Sequence, residues 1–300
     1  MKKVVVSMIL IIVVLTTGCS KEVNQEKDLS LSIGIMPAVD SAPILLAEKK
    51  GYFEKRGLDM DIQIYTNAVN RQTALQSGKL DGAMTDLIAF VNNVDNDFEI
   101  KITTSTDGSF PFLVSKDFTE KDKIKIGMME VSVSNFLSEQ FLKDDYIMEK
   151  IFIPEIPTRL EMIVKGKMDM AIIPEPLASM GELRGLEKRV YQNKDDFMPE
   201  AMIFTEKAIA EKEEAIKQFH QAYNQAIDDI LADEELARQV LIEKLELKPA
   251  AKDLITLPDY HHARLPDQAY LNKVINWVEE VQGSKIDLKY EEMVEGKFIK

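Results

Sequence analysis

Four acidic side chains stand where this chain turns from strand-like to polar segments: Asp40, Asp86, Glu130 and Glu175, with no basic residue beside them. They lie in short polar stretches, Ala38-Val39-Asp40-Ser41, Thr85-Asp86, Glu130 to Ser134 and Pro174-Glu175, joined by a further one at Tyr65-Thr66-Asn67. A carboxylate in a closed site has to be paired or hydrogen-bonded, because burying a lone charge is costly. A ligand with N–H donors or positive charge meets that need. Nitrate or a simple sulfonate does not, since anion sites are built from N–H groups, Arg or Lys. The candidate binding residues are Ala38, Asp40, Ser41, Asn67, Thr85, Asp86, Glu130, Ser132, Ser134 and Glu175. Phe110, with Phe112 beside it, offers a face on which a ring could stack. Each polar residue taken singly also suits a cap or turn; the case rests on their convergence.

Other chemistries find little support. Cys19 is the only cysteine of 300 residues, so no disulfide framework or cysteine metal site is expected. Tyr260-His261-His262 places two histidines side by side, where their rings diverge, and His220 is remote; no metal site or cofactor is expected. Gly-rich phosphate loops, Gly-x-Ser-x-Gly elbows and zinc-protease motifs are absent from the sequence, and the expectation is a chain that is not an enzyme. The net charge of −14 argues against a nucleic-acid partner.

Lys2 and Lys3 precede an apolar run from Val4 to Leu15, which has the form of an export signal and is too short for a permanent span. Thr16-Thr17-Gly18-Cys19 follows and resembles a bacterial lipobox, with Thr16 where Leu is more usual. That resemblance implies cleavage after residue 18, diacylation of Cys19 and a lipid-anchored protein on the extracytoplasmic face of a cell membrane. Residues 19–28 are polar and aperiodic and read as a tether.

The elements that must carry the candidate residues alternate. Leu29, Leu31, Ile33 and Ile35 form a period-two strand, Pro43 to Lys50 a helix stopped by Gly51, and Met60, Ile62 and Ile64 a second strand. A helix at Arg71 to Ser77 and a strand at Gly82 to Met84 follow. Leu87 to Asn92 continues as helix and Ile100 to Ser105 as strand. A second series has a strand at Ile124 to Met128, a helix at Asn135 to Leu142 capped by Ser134, and a strand at Ile151 to Ile153. The end is helical: Lys207 to Leu231, Glu234 to Leu245 and Gln268 to Val281. Strands alternating with helices point to mostly parallel α/β sheets.

An internal echo divides the chain. Gly78-Lys79-Leu80-Asp81-Gly82-Ala83-Met84 recurs as Gly166-Lys167-Met168-Asp169-Met170-Ala171-Ile172, 88 residues on. Two lobes of related architecture are expected, each ending the same strand at a shared cleft. Lobe 1 comprises residues 29–108 and 202–300; lobe 2 comprises residues 109–201.

Ile33-Gly34-Ile35-Met36-Pro37, Ser41-Ala42-Pro43-Ile44-Leu45-Leu46-Ala47 and Gly51-Tyr52-Phe53 resemble the start of type II ABC-transporter solute-binding proteins, the branch with sulfonate, nitrate and thiamine-pyrimidine binders. Gly57-Leu58-Asp59, Ser77 to Ala83 and Pro174-Glu175-Pro176 fit the same pattern. The resemblance implies two α/β lobes joined by two hinge crossings, a monomer closing on a small molecule and delivering it to a membrane permease. With the acidic tips, it favours an amine-bearing or heterocyclic ligand such as a pyrimidine precursor of thiamine. A fungal pyrimidine synthase shares this fold family, so a synthase-like enzyme is one alternative; an extracellular ligand sensor is another.

Overall fold

The computed structural model describes residues 29–299; Cys19, the export signal and the tether lie outside them. Two five-stranded sheets carry the fold. In the first half of the chain the order is β1 (Leu29–Ile35), α1 (Ala42–Lys49), β2 (Leu58–Ile64), α2 (Ala68–Gln76), β3 (Gly82–Asp86), α3 (Leu87–Asp95) and β4 (Ile100–Ser105). The next stretch has β5 (Phe112–Val114), β6 (Lys123–Met128), α4 (Val133–Leu142), β7 (Ile147–Phe152), α5 (Ile156–Val164), β8 (Met170–Ile172), α6 (Leu177–Glu182) and β9 (Glu187–Arg189). The chain then returns through β10 (Glu200–Thr205) into α7 (Glu206–Glu211), α8 (Glu213–Ala232), α9 (Glu235–Lys244) and α10 (Gln268–Gln282).

The first sheet runs β2-β1-β3-β10-β4 and the second β7-β6-β8-β5-β9. One returning strand in each, β10 or β5, is antiparallel to both its neighbours. The remaining strands share one direction, so both sheets are mostly parallel. Glu200 and Ala201, which the sequence pattern assigns to lobe 2, pair instead with Asp86 and Thr85 of the first sheet. The chain therefore crosses between the lobes at residues 106–111 and 190–199.

The echo has a physical cause. Asp81 and Asp169 do the same work: the backbone N–H of Ser32 donates to Asp81 Oδ2, and that of Lys125 to Asp169 Oδ2, each at 2.8 Å. Asp81 pins the loop before β3 to β1 and Asp169 the loop before β8 to β6, and each holds a lysine, Lys212 at 2.7 Å and Lys121 at 2.9 Å.

Helix ends follow local chemistry. Asn67 accepts hydrogen bonds from the Val69 and Asn70 N–H groups to start α2, Asp86 accepts from Ala89 to start α3, and Asp267 accepts from Tyr270 to start α10. The helix expected from Lys207 to Leu231 breaks at Lys212 into α7 and α8. Ser132, not Ser134, caps α4, so the helix starts two residues before the expected Asn135.

Apolar side chains of β1, α1, α8 and α9 form the core on one side of the first sheet. On its other side the core continues through α10 into lobe 2, where Trp277 meets Phe136 edge-on at 5.5 Å. The Trp277 indole donates to Glu139 of α4 at 2.7 Å, so this core tryptophan also joins the two lobes.

Candidate functional site

The two lobes face each other across a cleft lined from both sides. Lobe 1 contributes a short 3₁₀ turn, Val39–Ser41, which follows β1 and carries Asp40, together with the end of β3 and the start of β10. Asp40, Asp86 and Glu200 line the cleft, with Met36, Ala38 and Met84 beside them. Lobe 2 contributes Ser132 and Ser134 at the start of α4, with Met129 and Ile156. Phe110 lines the cleft from the first crossing, whereas Phe112 is wholly buried against Phe141 and Tyr191.

Two arginines enter this cleft, Arg71 from α2 and Arg159 from α5. They correct the expectation of acidic strand tips with no cation beside them. Each guanidinium is almost wholly buried, at 4% and 2% exposure. Each stem crosses a strand glycine, on β1 or on β6: a Cβ on Gly34 would stand 3.0 Å from Arg71 Cγ, and one on Gly127 3.4 Å from Arg159 Cγ. The two neighbourhoods differ in charge. Arg71 donates to Thr85 Oγ1 at 2.8 Å and is surrounded by Asp86, Glu200 and Asp40. Among the described residues Arg159 has no carboxylate partner; its one side-chain hydrogen bond reaches Ser134 Oγ at 3.4 Å, and its buried Nε, like that of Arg71, has none. Burial alone pushes the Arg159 guanidinium down to about 10, so it stays charged at neutral pH.

The lobe 1 carboxylates are close enough to share a proton. Burial pushes Asp40 up to about 6, against the hydrogen bond from Glu200 and the charge of Arg71. Glu200 is pushed up further, by burial and then by the charges of Asp40 and Asp86. Buried side by side, Asp40 and Glu200 oppose each other's ionisation, so the pair holds a proton more readily than a free carboxylate does. Asp86 is also raised by burial, while the Ala89 N–H and Arg71 hold it down. No N–H of the described residues reaches the buried Asp40 Oδ1.

The remaining expected residues lie outside the cleft lining. Ser41 is buried and donates to the Ala38 carbonyl, Thr85 is buried behind Arg71, and Asn67 serves as the α2 cap. Glu130 is exposed, and its backbone carbonyl accepts from Asn135. Glu175 is wholly buried, but its carboxylate is already satisfied, by Lys188 at 2.8 Å, by the Ser179 N–H and hydroxyl, and by the Thr256 N–H at 3.1 Å. Its backbone carbonyl accepts from the Val39 N–H at 3.0 Å, so Glu175 ties lobe 2 to lobe 1 instead of waiting for a ligand. Of the two adjacent histidines, His261 meets Asp107 and His262 meets Asp228. Arg71, Arg159 and Glu200 escape a reading based on strand tips. Carrying the echo seven residues towards the N-terminus would have paired the two arginines.

A family model described as NMT1/THI5 like matches residues 38–237, two thirds of the chain. The chain belongs to the NMT1/THI5-like family. Solved structures similar to this NMT1/THI5-like protein are two-lobed periplasmic binding proteins. One is the ligand-binding component of an ABC-type import system from Staphylococcus aureus, solved with zinc bound, with a TM-score of 0.76 at 15% identity over 90% of this chain and 97% of that one. Another is the alkanesulfonate-binding protein of Xanthomonas axonopodis pv. citri bound to MOPS, with a TM-score of 0.67 at 17% identity over 85% and 91%. A third is the periplasmic nitrate-binding protein of Synechocystis PCC 6803, with a TM-score of 0.60 at 14% identity over 79% and 72%. Identities this low establish the shared fold. No curated protein matches the chain in sequence. No helix of the described residues is long and apolar enough to cross a membrane.

Proposed function

We propose that this protein is the solute-binding component of an ABC importer, held on the extracytoplasmic face of the membrane through Cys19. It closes its two lobes on a small molecule and presents the closed form to a permease. The reading is carried by the cleft itself: buried, incompletely paired polar groups from both lobes face one cleft at the carboxyl ends of the parallel strands. A ligand that bridges both faces stabilises the closed state by its differential affinity. The fold shared with binding components of import systems supports the same reading.

The lobe 1 carboxylates favour a ligand end rich in N–H groups, an amine or an aminopyrimidine-like heterocycle, with Phe110 beside it. Calorimetric titration with aminopyrimidines, alkylamines, nitrate and methanesulfonate tests this. Binding by an amine- or amidine-bearing compound and weak binding by the bare anions is the expected pattern. Tight binding of nitrate or methanesulfonate, with none for the nitrogen bases, would refute it.

A further inference from the structure

Arg71 and Arg159 occupy equivalent places in the two lobes, but only Arg71 is neutralised. Around Arg159 the structure gathers features that suit an anion. The guanidinium is buried, faces the cleft and has no carboxylate partner among the described residues. α4, ten residues long, starts beside it, and the Val133 N–H at its first position has no acceptor within the helix. Ser132 Oγ and Ser134 Oγ stand 2.7 Å apart at the same place. Ser134 Oγ accepts from the Met129 N–H at 2.9 Å and from Arg159, so its own proton goes to Ser132 Oγ, and the Ser132 hydroxyl, with only the Met129 carbonyl at 3.4 Å as a protein acceptor, is left to donate. The Nε of each arginine is buried without an acceptor, but only at Arg159 is the charge unbalanced as well, and an anionic acceptor brought by the ligand would remove both costs there.

We infer that Arg159, Ser132, Ser134 and the first turn of α4 form an anion seat, so that the ligand is dipolar. Its N–H-bearing or cationic end meets Asp40, Asp86 and Glu200 of lobe 1. Its carboxylate, sulfonate or phosphate end meets Arg159 of lobe 2. This inference rests on the reading of the cleft as the solute site. Each lobe then holds the charge it lacks a partner for, and a molecule with only one kind of charge satisfies one lobe alone. Closure requires both.

Minimal probes separate the two seats without knowing the natural ligand. Inorganic sulfate, with chloride as control at equal ionic strength, is titrated by thermal shift and calorimetry into the wild-type protein, Arg159→Met, Arg159→Lys and Asp40→Asn. Methylammonium is titrated in parallel. Sulfate binding is expected to weaken at least tenfold in Arg159→Met, to recover in part in Arg159→Lys, and to strengthen in Asp40→Asn, where a repelling carboxylate is gone. Sulfate and methylammonium together should bind more tightly than either alone. Equal sulfate responses of wild type and Arg159→Met, with circular dichroism showing both folded, would overturn the anion seat while leaving the binding-protein reading intact. Loss of methylammonium binding in the wild type alongside retained sulfate binding would instead remove the cationic pole and the dipolar ligand with it.

Discussion

Arg71 and Arg159 are the fourth residues of α2 and α5, the helices that follow β2 and β7, and their side chains meet in one cleft. Each lies over a strand glycine that leaves room for its stem. The difference lies in their company: Arg71 is ringed by Asp40, Asp86 and Glu200, and Arg159 by serines. Duplicated lobe architecture has thus been given opposite charge on its two faces.

The acid pair of lobe 1 predicts the pH dependence of ligand binding. Burial raises Asp40 to about 6 and Glu200 further, so protonation competes with a cationic ligand end. Affinity for an amine-bearing ligand should rise as pH increases through about 6 and fall by up to about tenfold per unit below it. The ligand-free fold shows the opposite sign. An acid with a raised folded pKa binds more protons folded than unfolded, so its contribution to stability grows as pH falls from about 6 towards the ordinary carboxylate range. Calorimetry between pH 5 and 8 checks the first, and binding that does not change over that range would contradict it.

His220 should act in the reverse direction. It is buried between Phe219 and Phe298, neither ring nitrogen has a partner among the described residues, and burial pushes it down to about 3. The unfolded chain takes up a proton near pH 6.5 and the folded one only near 3, so this contribution to stability is lost as pH falls across that window, by up to about 1.4 kcal/mol per unit. His220→Phe removes the ionisable group without orphaning a partner. It should be close to neutral at pH 7.5 and more stable than wild type at pH 4.5, as read by urea denaturation.

Lys188 and Glu175 form a buried pair, at 7% and 0% side-chain exposure, with Lys188 also meeting Glu182 at 2.9 Å and the Leu254 carbonyl. Lys188→Met leaves Glu175 charged and buried and should cost about 3–5 kcal/mol. Lys188→Met with Glu175→Gln should recover much of that loss, because no uncompensated charge remains. Guanidinium denaturation of the single and double variants is the check. Equal destabilisation in both would show that the pairing is not what matters.

Trp277 is the sole tryptophan, and it packs against Phe136 and Glu139 of the other lobe. Its fluorescence should therefore change when the lobes move on each other. Saturating ligand should shift its emission, and Phe136→Ala should diminish that shift while leaving the affinity within a fewfold. An emission spectrum that ignores ligand would place the lobe motion elsewhere.

Much of this fold is legible in the sequence, because period-two strands, glycine stops and acidic caps act locally. The β1 to β3 series and the echo at Asp81 and Asp169 follow from such signals. The cleft is less legible, because its polarity depends on partners distant in the chain. Glu175 reads as a free strand-tip acid until β9 brings Lys188 beneath it. Glu200 reads as part of lobe 2 until β10 pairs with β3. Ser132 and Ser134 both suit a cap, and only the geometry of α4 gives Ser132 that role. Arg71 and Arg159 were visible as residues, yet a helix surface arginine and a buried one look alike in sequence.

The most direct test of the account is native mass spectrometry of the purified protein after exposure to a small-molecule extract of bacterial cells. A single non-covalent adduct of small-molecule mass, diminished by Asp40→Asn with Glu200→Gln, is the predicted result. An unliganded spectrum for the wild type at every extract concentration, or an adduct that survives loss of both acids undiminished, would contradict a solute-binding cleft built on these residues.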